Sequence, residues 1–376
     1  MLIGIDAGPM IGHGGISEYV GSLMRKLVID DQRNQYRLVF RRSWSHLSGL
    51  RECEQVAPIV RLSMPDRFMS LWWDRMNCSL PVNRALWNSL DVYLSTCLMT
   101  PILPRGQVVS LIYDLIPLRL PTLFPHHADF RQRMHRICAR SAALVTISQC
   151  TKDDLVELLG VDPAKIHVVC PGRQPQWDSI APACIATVTQ RYGIVGPYIL
   201  YAGSLGRHKN VEALLRAYRL ACVEGSLGAT LVITGSRRWG KDVLRLVDTL
   251  GLYEKVIFTD YVAGEDLHAL YAGAHLFAFP SLYEGFGLPV LEAMSCGTPV
   301  LVSKSGALPE VIGEAGLAVN AEDPRTLADA IIRVMGNADL RLHMREAGLR
   351  QAERFSWSRS ADQLRLLLEQ IAGESR

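Results

Sequence analysis

The stretch Phe279-Pro280-Ser281-Leu282-Tyr283-Glu284-Gly285-Phe286-Gly287-Leu288-Pro289-Val290-Leu291-Glu292-Ala293-Met294 decides the fold of this chain. An apolar run of strand length, Leu276–Phe279, ends at Pro280. A glycine-bearing loop follows, and Pro289 suits the first position of a helix, where its missing N–H costs nothing. Gly297 and Pro299 close that helix, and Val300–Ser303 restarts a strand. This succession predicts a βαβ unit. It leaves the backbone N–H groups of Phe286, Gly287 and Leu288 at a helix N-terminus, beyond the carboxyl end of a parallel strand. Such a spot favours a phosphate or another anion. The two acids are then the odd feature. Glu284 in the loop and Glu292 about one turn into the helix would both reach a ligand held there. Carboxylates suit hydroxyl-rich groups, because each can accept two hydrogen bonds from a sugar diol. The plainer alternative leaves Glu292 complementing the helix dipole and Glu284 in solvent.

Working outward, strand-length apolar runs alternate with helical patterns almost throughout. In the second half they fall at Tyr198–Ala202, Thr230–Thr234 and 256–259, besides the two already named. In the first half they fall at Leu2–Asp6, 36–40, 91–95, 108–113, 144–147 and 167–169. Ile16, Tyr19, Val20, Leu23, Met24, Leu27 and Val28 lie on one face of a helix. Thr151 followed by Asp154 reads as another helix start. Repeated β–α alternation means parallel sheets covered on both faces. Residues 170–197 break the rhythm with four prolines, so 176–197 is expected to be a linker. The expectation is an α/β protein with two Rossmann-like domains, 1–175 and 198–355, facing across a cleft. A last helix within 356–376 could cross back to the first domain.

Composition agrees with a globular protein of this size. Of 376 residues, 49% are hydrophobic and 20% charged, with 40 basic side chains against 37 acidic ones. A net charge of +3 is too balanced for a protein held mainly by nucleic acid. The nine cysteines are odd in number and show no CxxC spacing. They read as thiols in a reducing compartment, not as a disulfide frame or a zinc site. The opening MLIGIDAGPMIGHGG has no basic n-region, so no signal peptide is expected. No run approaches the roughly 18 apolar residues of a spanning helix. The expected location is cytoplasmic.

A second anion site is legible on its own. After the strand Tyr198–Ala202 comes the flexible turn Gly203-Ser204-Leu205-Gly206, and Asn210 suits the N-cap of the next helix. Arg207 and Lys209 sit just before that N-terminus, where a cation is locally unfavourable unless a bound anion neutralises it. A solvated basic turn is the alternative. In the first half, Gly14-Gly15 opens a helix after Leu2–Asp6, while the dinucleotide G-x-G-x-x-G is absent, its third glycine being Ser17. Asp114, after Tyr113, lies where a strand should end, and either contacts a ligand or caps the following turn. His126-His127 reads as the start of a helix, since no third metal ligand has suitable spacing. Residues 64–87 combine Phe68, Met69, Leu71, Trp72, Trp73, Met76 and Trp87 with three arginines. Such a stretch can lie in the headgroup region of an anionic membrane or pack on its own domain. Arg131, Arg133, Arg136 and Arg140 would add to the same basic face.

Taken together, the opening glycine turn, YDLIPL (113–118), TISQCTKDDL (146–155), GSLGRHKN (203–210) and EGFGLPVLEAMSCGTPV (284–300) resemble the retaining glycosyltransferases of family 4, in their order and spacing. That resemblance implies the GT-B fold and transfer of a hexose from a nucleotide diphosphate to a glycan or polyprenyl-diphosphate-linked glycan. It implies Glu292 on the ribose, Glu284 on hydroxyls of the transferred sugar, and the amides of Phe286, Gly287 and Leu288 on the sugar and diphosphate. Arg207 and Lys209 would hold the diphosphate, with Gly203 and Ser204 in the same turn and Gly15 approaching it from the other domain. Asp114 would stand near the reacting centre. Ser204 replaces an arginine of many members, and Tyr113 replaces a histidine, so a titrating group at 113 is lost. No Asp-x-Asp metal motif is present, and no cofactor is expected beyond the nucleotide sugar. The wider style resembles mannosyltransferases of bacterial O-antigen, capsule or exopolysaccharide synthesis using GDP-mannose, a UDP-hexose being the second choice. A nucleotide-sugar 2-epimerase or a non-catalytic sugar-nucleotide-binding protein are the rivals from other classes. Peripheral contact with an anionic membrane fits a lipid-linked acceptor.

Overall fold

The structure, a computed structural model, describes residues 1–12, 14–40, 57–62, 68–69, 72, 83–174, 180–225, 227–235, 241–262 and 264–374. The chain divides into two compact units, Met1–Gly172 together with Ser356–Arg376, and Arg173–Phe355.

The first unit is built on strands β1 (Leu2–Asp6), β2 (Gln35–Phe40), β3 (Ile59–Arg61), β4 (Val92–Ser95), β5 (Gln107–Ile112), β6 (Ala143–Thr146) and β7 (Ile166–Val168). They pair in the order β3-β2-β1-β4-β5-β6-β7, all parallel. The short runs VYLS and ALVT of β4 and β6 are buried along their whole length, as strands covered on both faces must be. The helix Gly15–Asp30 buries Tyr19, Val20, Leu23, Met24, Leu27 and Val28 of the face its spacing predicts, and leaves Ile16 in its first turn exposed. The last helix, Trp357–Gly373, packs against it. The Tyr19 and Trp357 rings lie 5.7 Å apart, and Ser360 Oγ donates to the Cys170 carbonyl at 2.5 Å. Gly172 passes so close that a Cβ there would sit 2.1 Å from the Trp357 nitrogen.

The second unit holds β8 (Tyr198–Ala202), β9 (Thr230–Thr234), β10 (Val256–Asp260), β11 (Leu276–Phe279), β12 (Val300–Ser303) and β13 (Leu317–Val319). Their order is β10-β9-β8-β11-β12-β13, again all parallel. In each sheet the chain builds outward on one side and then turns back to extend the other. The reversals fall between β1 and β4 and between β8 and β11. At such a switch point the two neighbouring loops leave in opposite directions and open a crevice at the carboxyl ends of the strands.

Several expectations need correction. The stretch read as a linker contains a helix, Pro182–Arg191, which packs in the second unit against the helix Gly264–Gly273. Pro182 there is not a breaker but a first-turn residue, and Arg191 is paired with Asp266 at 2.5 Å. The helix expected from Thr151 begins earlier, at Gln149, with Ser148 Oγ accepting from the Thr151 amide at 3.0 Å. Some of the described residues of the aromatic stretch 64–87 belong to the core. Met69 and Trp87 are buried in one apolar cluster, and Trp72 packs against it. Phe68 is exposed, while Leu71, Trp73 and Met76 lie outside the described residues.

Candidate functional site

Two loops leave the carboxyl ends of the adjacent strands β8 and β11, and their residues meet. The β8 loop turns through Arg207–Lys209 into the helix Val211–Glu224; the β11 loop runs to the helix Leu288–Ser295. The Leu282 amide donates to the His208 carbonyl at 2.8 Å, which ties one loop to the other. Asn210 occupies the N-cap position expected of it, but its side chain does not cap. Its Nδ2 donates instead to the carbonyls of Pro280 at 3.2 Å and Ala321 at 2.8 Å, fastening both loops to the segment after β13.

The central contact is between Lys209 and Glu284. Nζ donates to Oε1 at 2.6 Å, with the side chains 17% and 10% exposed. The ammonium also lies 5.4 Å from the centre of the Phe279 ring. Glu284 is held from behind by its backbone: its carbonyl accepts from the Ala307 amide at 3.0 Å, and Gly306 (φ +64°) passes where a Cβ would strike that carbonyl at 2.5 Å. Oε2 has no partner among the described residues, so the carboxylate keeps acceptor capacity for hydroxyls. One turn on, Glu292 Oε2 accepts from the buried Tyr271 hydroxyl at 3.0 Å. Burial and Glu292 hold the Tyr271 phenol well above its ordinary value, so it remains a donor.

Gly287 caps the helix Leu288–Ser295 with φ +104°, a conformation that favours glycine, and a Cβ there would meet Leu308 at 2.5 Å. Phe286 turns inward and stacks edge-on against Phe355 at 5.6 Å. The amides of Phe286, Gly287 and Leu288 make no hydrogen bond among the described residues. They lie in the loop just after Glu284 and leave free donors at the start of the helix Leu288–Ser295. Arg207 is exposed and makes no ion pair among the described residues, and Ser204 is exposed beside it. Gly203 starts the turn, its amide donating to Thr234 at 3.0 Å. His208 lies in the same turn, and burial, then the nearby Lys209, lower its pKa.

The remaining sequence-predicted residues lie in the first unit. Gly15 begins its helix, with Gly14 as cap at φ +98°. Tyr113 does not offer its hydroxyl to a ligand: it donates to the Thr96 carbonyl at 2.5 Å, and burial pushes its phenol well above the ordinary value. Asp114 Oδ1 accepts from the Ile116 amide at 3.0 Å, the turn-capping alternative. Of the residues expected from sequence, Lys209 and Glu284 are in contact and Glu292 lies in the helix that follows. Sequence reasoning missed Asn210 as a staple, Tyr271 behind Glu292 and Gly306 behind Glu284, contacts that no local pattern signals. No helix among the described residues is long and apolar enough to cross a membrane.

With this geometry, the comparisons with known proteins fall into place. Residues 195–351 match the family described as glycosyl transferases group 1. The O-antigen chain mannosyltransferase B of Escherichia coli is 34% identical over 261 residues, covering 68% of each chain. The serotype-specific mannosyltransferase WbdA of E. coli is 29% identical over 263 residues, 68% of this chain but 32% of that longer protein. In fold, the Anabaena protein Alr3699/HepE in complex with UDP and glucose is similar with a TM-score of 0.76 at 17% identity, over 98% of this chain and 99% of that one. A pair of all-parallel, Rossmann-like units with a polar site at a switch point is the architecture of a GT-B transferase. The chain belongs to the group 1 glycosyltransferases.

Proposed function

We propose that the protein transfers mannose from GDP-mannose to a hydroxyl of a glycan or polyprenyl-linked glycan in bacterial surface polysaccharide synthesis, with retention and without a metal ion. The observation that carries the reading is the Lys209–Glu284 pair in the loop that leads to the open amides at the start of Leu288–Ser295. Glu292 takes the ribose, and the diphosphate lies against Lys209, Arg207 and those amides. Glu284 accepts hydroxyls of the sugar through Oε2. A carboxylate bound to an ammonium at 2.6 Å is a poor nucleophile, which argues against a covalent glycosyl intermediate at Glu284. Attack is therefore assigned to the same face as departure. The bond from the anomeric carbon to the diphosphate oxygen breaks, the acceptor oxygen bonds to that carbon, and the hydroxyl proton passes to the leaving diphosphate. Lys209, Arg207 and the helix-end amides stabilise the charge that develops there, so a divalent ion is not required. The relatives from Escherichia coli, an O-antigen chain mannosyltransferase and a serotype-specific mannosyltransferase, support mannose as the sugar.

The test incubates the protein with GDP-mannose, UDP-glucose or UDP-galactose and a mannose-terminated octyl glycoside, in excess EDTA. Release of GDP with an α-linked product supports the proposal. Turnover with a UDP-sugar alone overturns the donor, a β-linked product overturns retention, and activity restored only by Mg²⁺ or Mn²⁺ overturns metal independence. Peripheral attachment to the inner membrane face is assigned to the cationic helix His127–Arg140, which carries Arg131, Arg133, Arg136 and Arg140. Each arginine near an anionic surface contributes roughly 1 kcal/mol, so attachment should be weak and salt-sensitive. No sedimentation with anionic vesicles at low salt would refute it.

A further inference from the structure

At the switch point of the first sheet, between β1 and β4, a carboxylate stands without a cation. Asp6 ends β1 and is 4% exposed. Its Oδ1 accepts from the Gly8 amide at 3.3 Å and its Oδ2 from the Cys97 thiol at 2.6 Å; no ion pair to it exists among the described residues. A buried carboxylate ordinarily has a cationic partner or several strong donors. Here one donor is a long amide contact and the other a thiol, the weakest donor in the side-chain set. The surroundings are nonetheless built with care. Thr96 Oγ1 donates to the Asp6 carbonyl at 2.5 Å, Tyr113 Oη to the Thr96 carbonyl at 2.5 Å, and Ser95 Oγ to the Cys97 and Met99 carbonyls at 3.1 and 2.7 Å. Thr96 is fully buried and Tyr113 nearly so, whereas Cys97 is partly exposed. The network thus fixes the ends of β1 and β4 and leaves one replaceable group over the carboxylate.

We infer that Asp6 is a binding residue for a hydroxyl of the acceptor glycan, and that this hydroxyl displaces the Cys97 thiol from Oδ2. The inference rests on the proposed transferase reading for the identity of the ligand. A hydroxyl is a far better donor to a carboxylate than a thiol, so the exchange gains a charge-assisted hydrogen bond. The carboxyl end of a parallel sheet at its switch point is also where α/β units take ligands. A purely local role, capping the turn at Gly8, would need neither the thiol nor the Thr96–Tyr113 scaffold.

The experiment uses the full chain and methyl α-D-mannopyranoside as probe, read by saturation-transfer NMR, beside the acceptor KM with the octyl mannoside. Asp6→Asn should weaken the probe and raise that KM about 10- to 100-fold, the range for a hydrogen bond to a charged group, with GDP affinity unchanged. The Cys97 variants should move in opposite directions. Cys97→Ala uncovers Oδ2 and should lower the KM; Cys97→Ser supplies a stronger internal donor and should raise it. A turn-capping role would move neither KM nor probe binding in Cys97→Ala and Cys97→Ser. Equal acceptor KM in wild type, Asp6→Asn and both Cys97 variants overturns the inference, as does a parallel loss of GDP affinity. Should Asp6→Asn not fold, the opposing Cys97 pair alone decides. If wild type transfers no sugar at all, the transferase reading fails; probe binding that still responds to these substitutions then upholds the hydroxyl site by itself.

Discussion

At the scale of single residues, the site is a set of charges whose partners lie far away in sequence. Lys209 and Glu284 are 75 residues apart, and Tyr271 reaches Glu292 across 21. If Lys209 faces the leaving diphosphate, Lys209→Ala should lower kcat by about 10²-fold or more, measured at saturating donor, because its charge matters most in the transition state. Wild-type turnover in that variant would remove it from the mechanism. Glu292→Ala removes the proposed ribose ligand and the hydrogen bond from Tyr271, so it should cost about 1–3 kcal/mol of stability in addition to nucleotide affinity. Glu292→Gln keeps an acceptor for Tyr271. It should melt near wild type yet still bind GDP less tightly by calorimetry. The sequence discloses these residues through their neighbours in the loop and helix. It does not disclose what holds them, since a long-range hydrogen bond has no period and no spacing.

At the scale of elements, two short pieces carry more than their length suggests. The turn at Gly306 supports Glu284 from behind with φ +64° and no room for a Cβ. Gly306→Ala must strain or shift the glutamate backbone, at about 1–3 kcal/mol. Transfer should fall more than the melting temperature does; kinetics beside a thermal melt would show whether it does. The helix Trp357–Gly373 buries Trp357, Leu364, Leu367, Leu368 and Ile371 within the first unit. Each such side chain is worth roughly 1.5–3 kcal/mol of burial. Together they rival the whole net stability of a domain, about 5–15 kcal/mol. Truncation after Phe355 should therefore leave the first unit unfolded and the second protected in limited proteolysis. Long periodic elements such as Gly15–Asp30 were plain in the sequence. The strands β3 and β13 were not, because three residues show no alternation. The helix Pro182–Arg191 was hidden by its own proline, which marks a helix start as readily as a linker.

At the scale of the whole molecule, the β–α alternation was legible because fully buried parallel strands leave uninterrupted apolar runs. The acid–base balance of the fold was not. His167, His208 and His275 each titrate below their usual 6.5, chiefly through burial and then through Lys152, Lys209 and Arg341 respectively. Below 6.5 the unfolded chain therefore binds protons that the folded chain refuses. Stability is full above that value and is lost as the pH falls through it toward the folded values. Melting temperature should thus decline between about pH 7.5 and 5.5, and His167→Gln should flatten part of that slope. A melting curve rising toward acid over that span would contradict the assignment.

The return of the chain to its first unit also bears on biosynthesis. The segment 173–355 is continuous, so it leaves the ribosome entire and can reach its native form at once. Its elder neighbour cannot. Residues 1–172 emerge first but wait, with Tyr19 and Cys170 lacking their contacts to Trp357 and Ser360, until the final helix is made. Order of synthesis and order of completion are thereby inverted, and the nascent first half is the portion that chaperones would have to shelter.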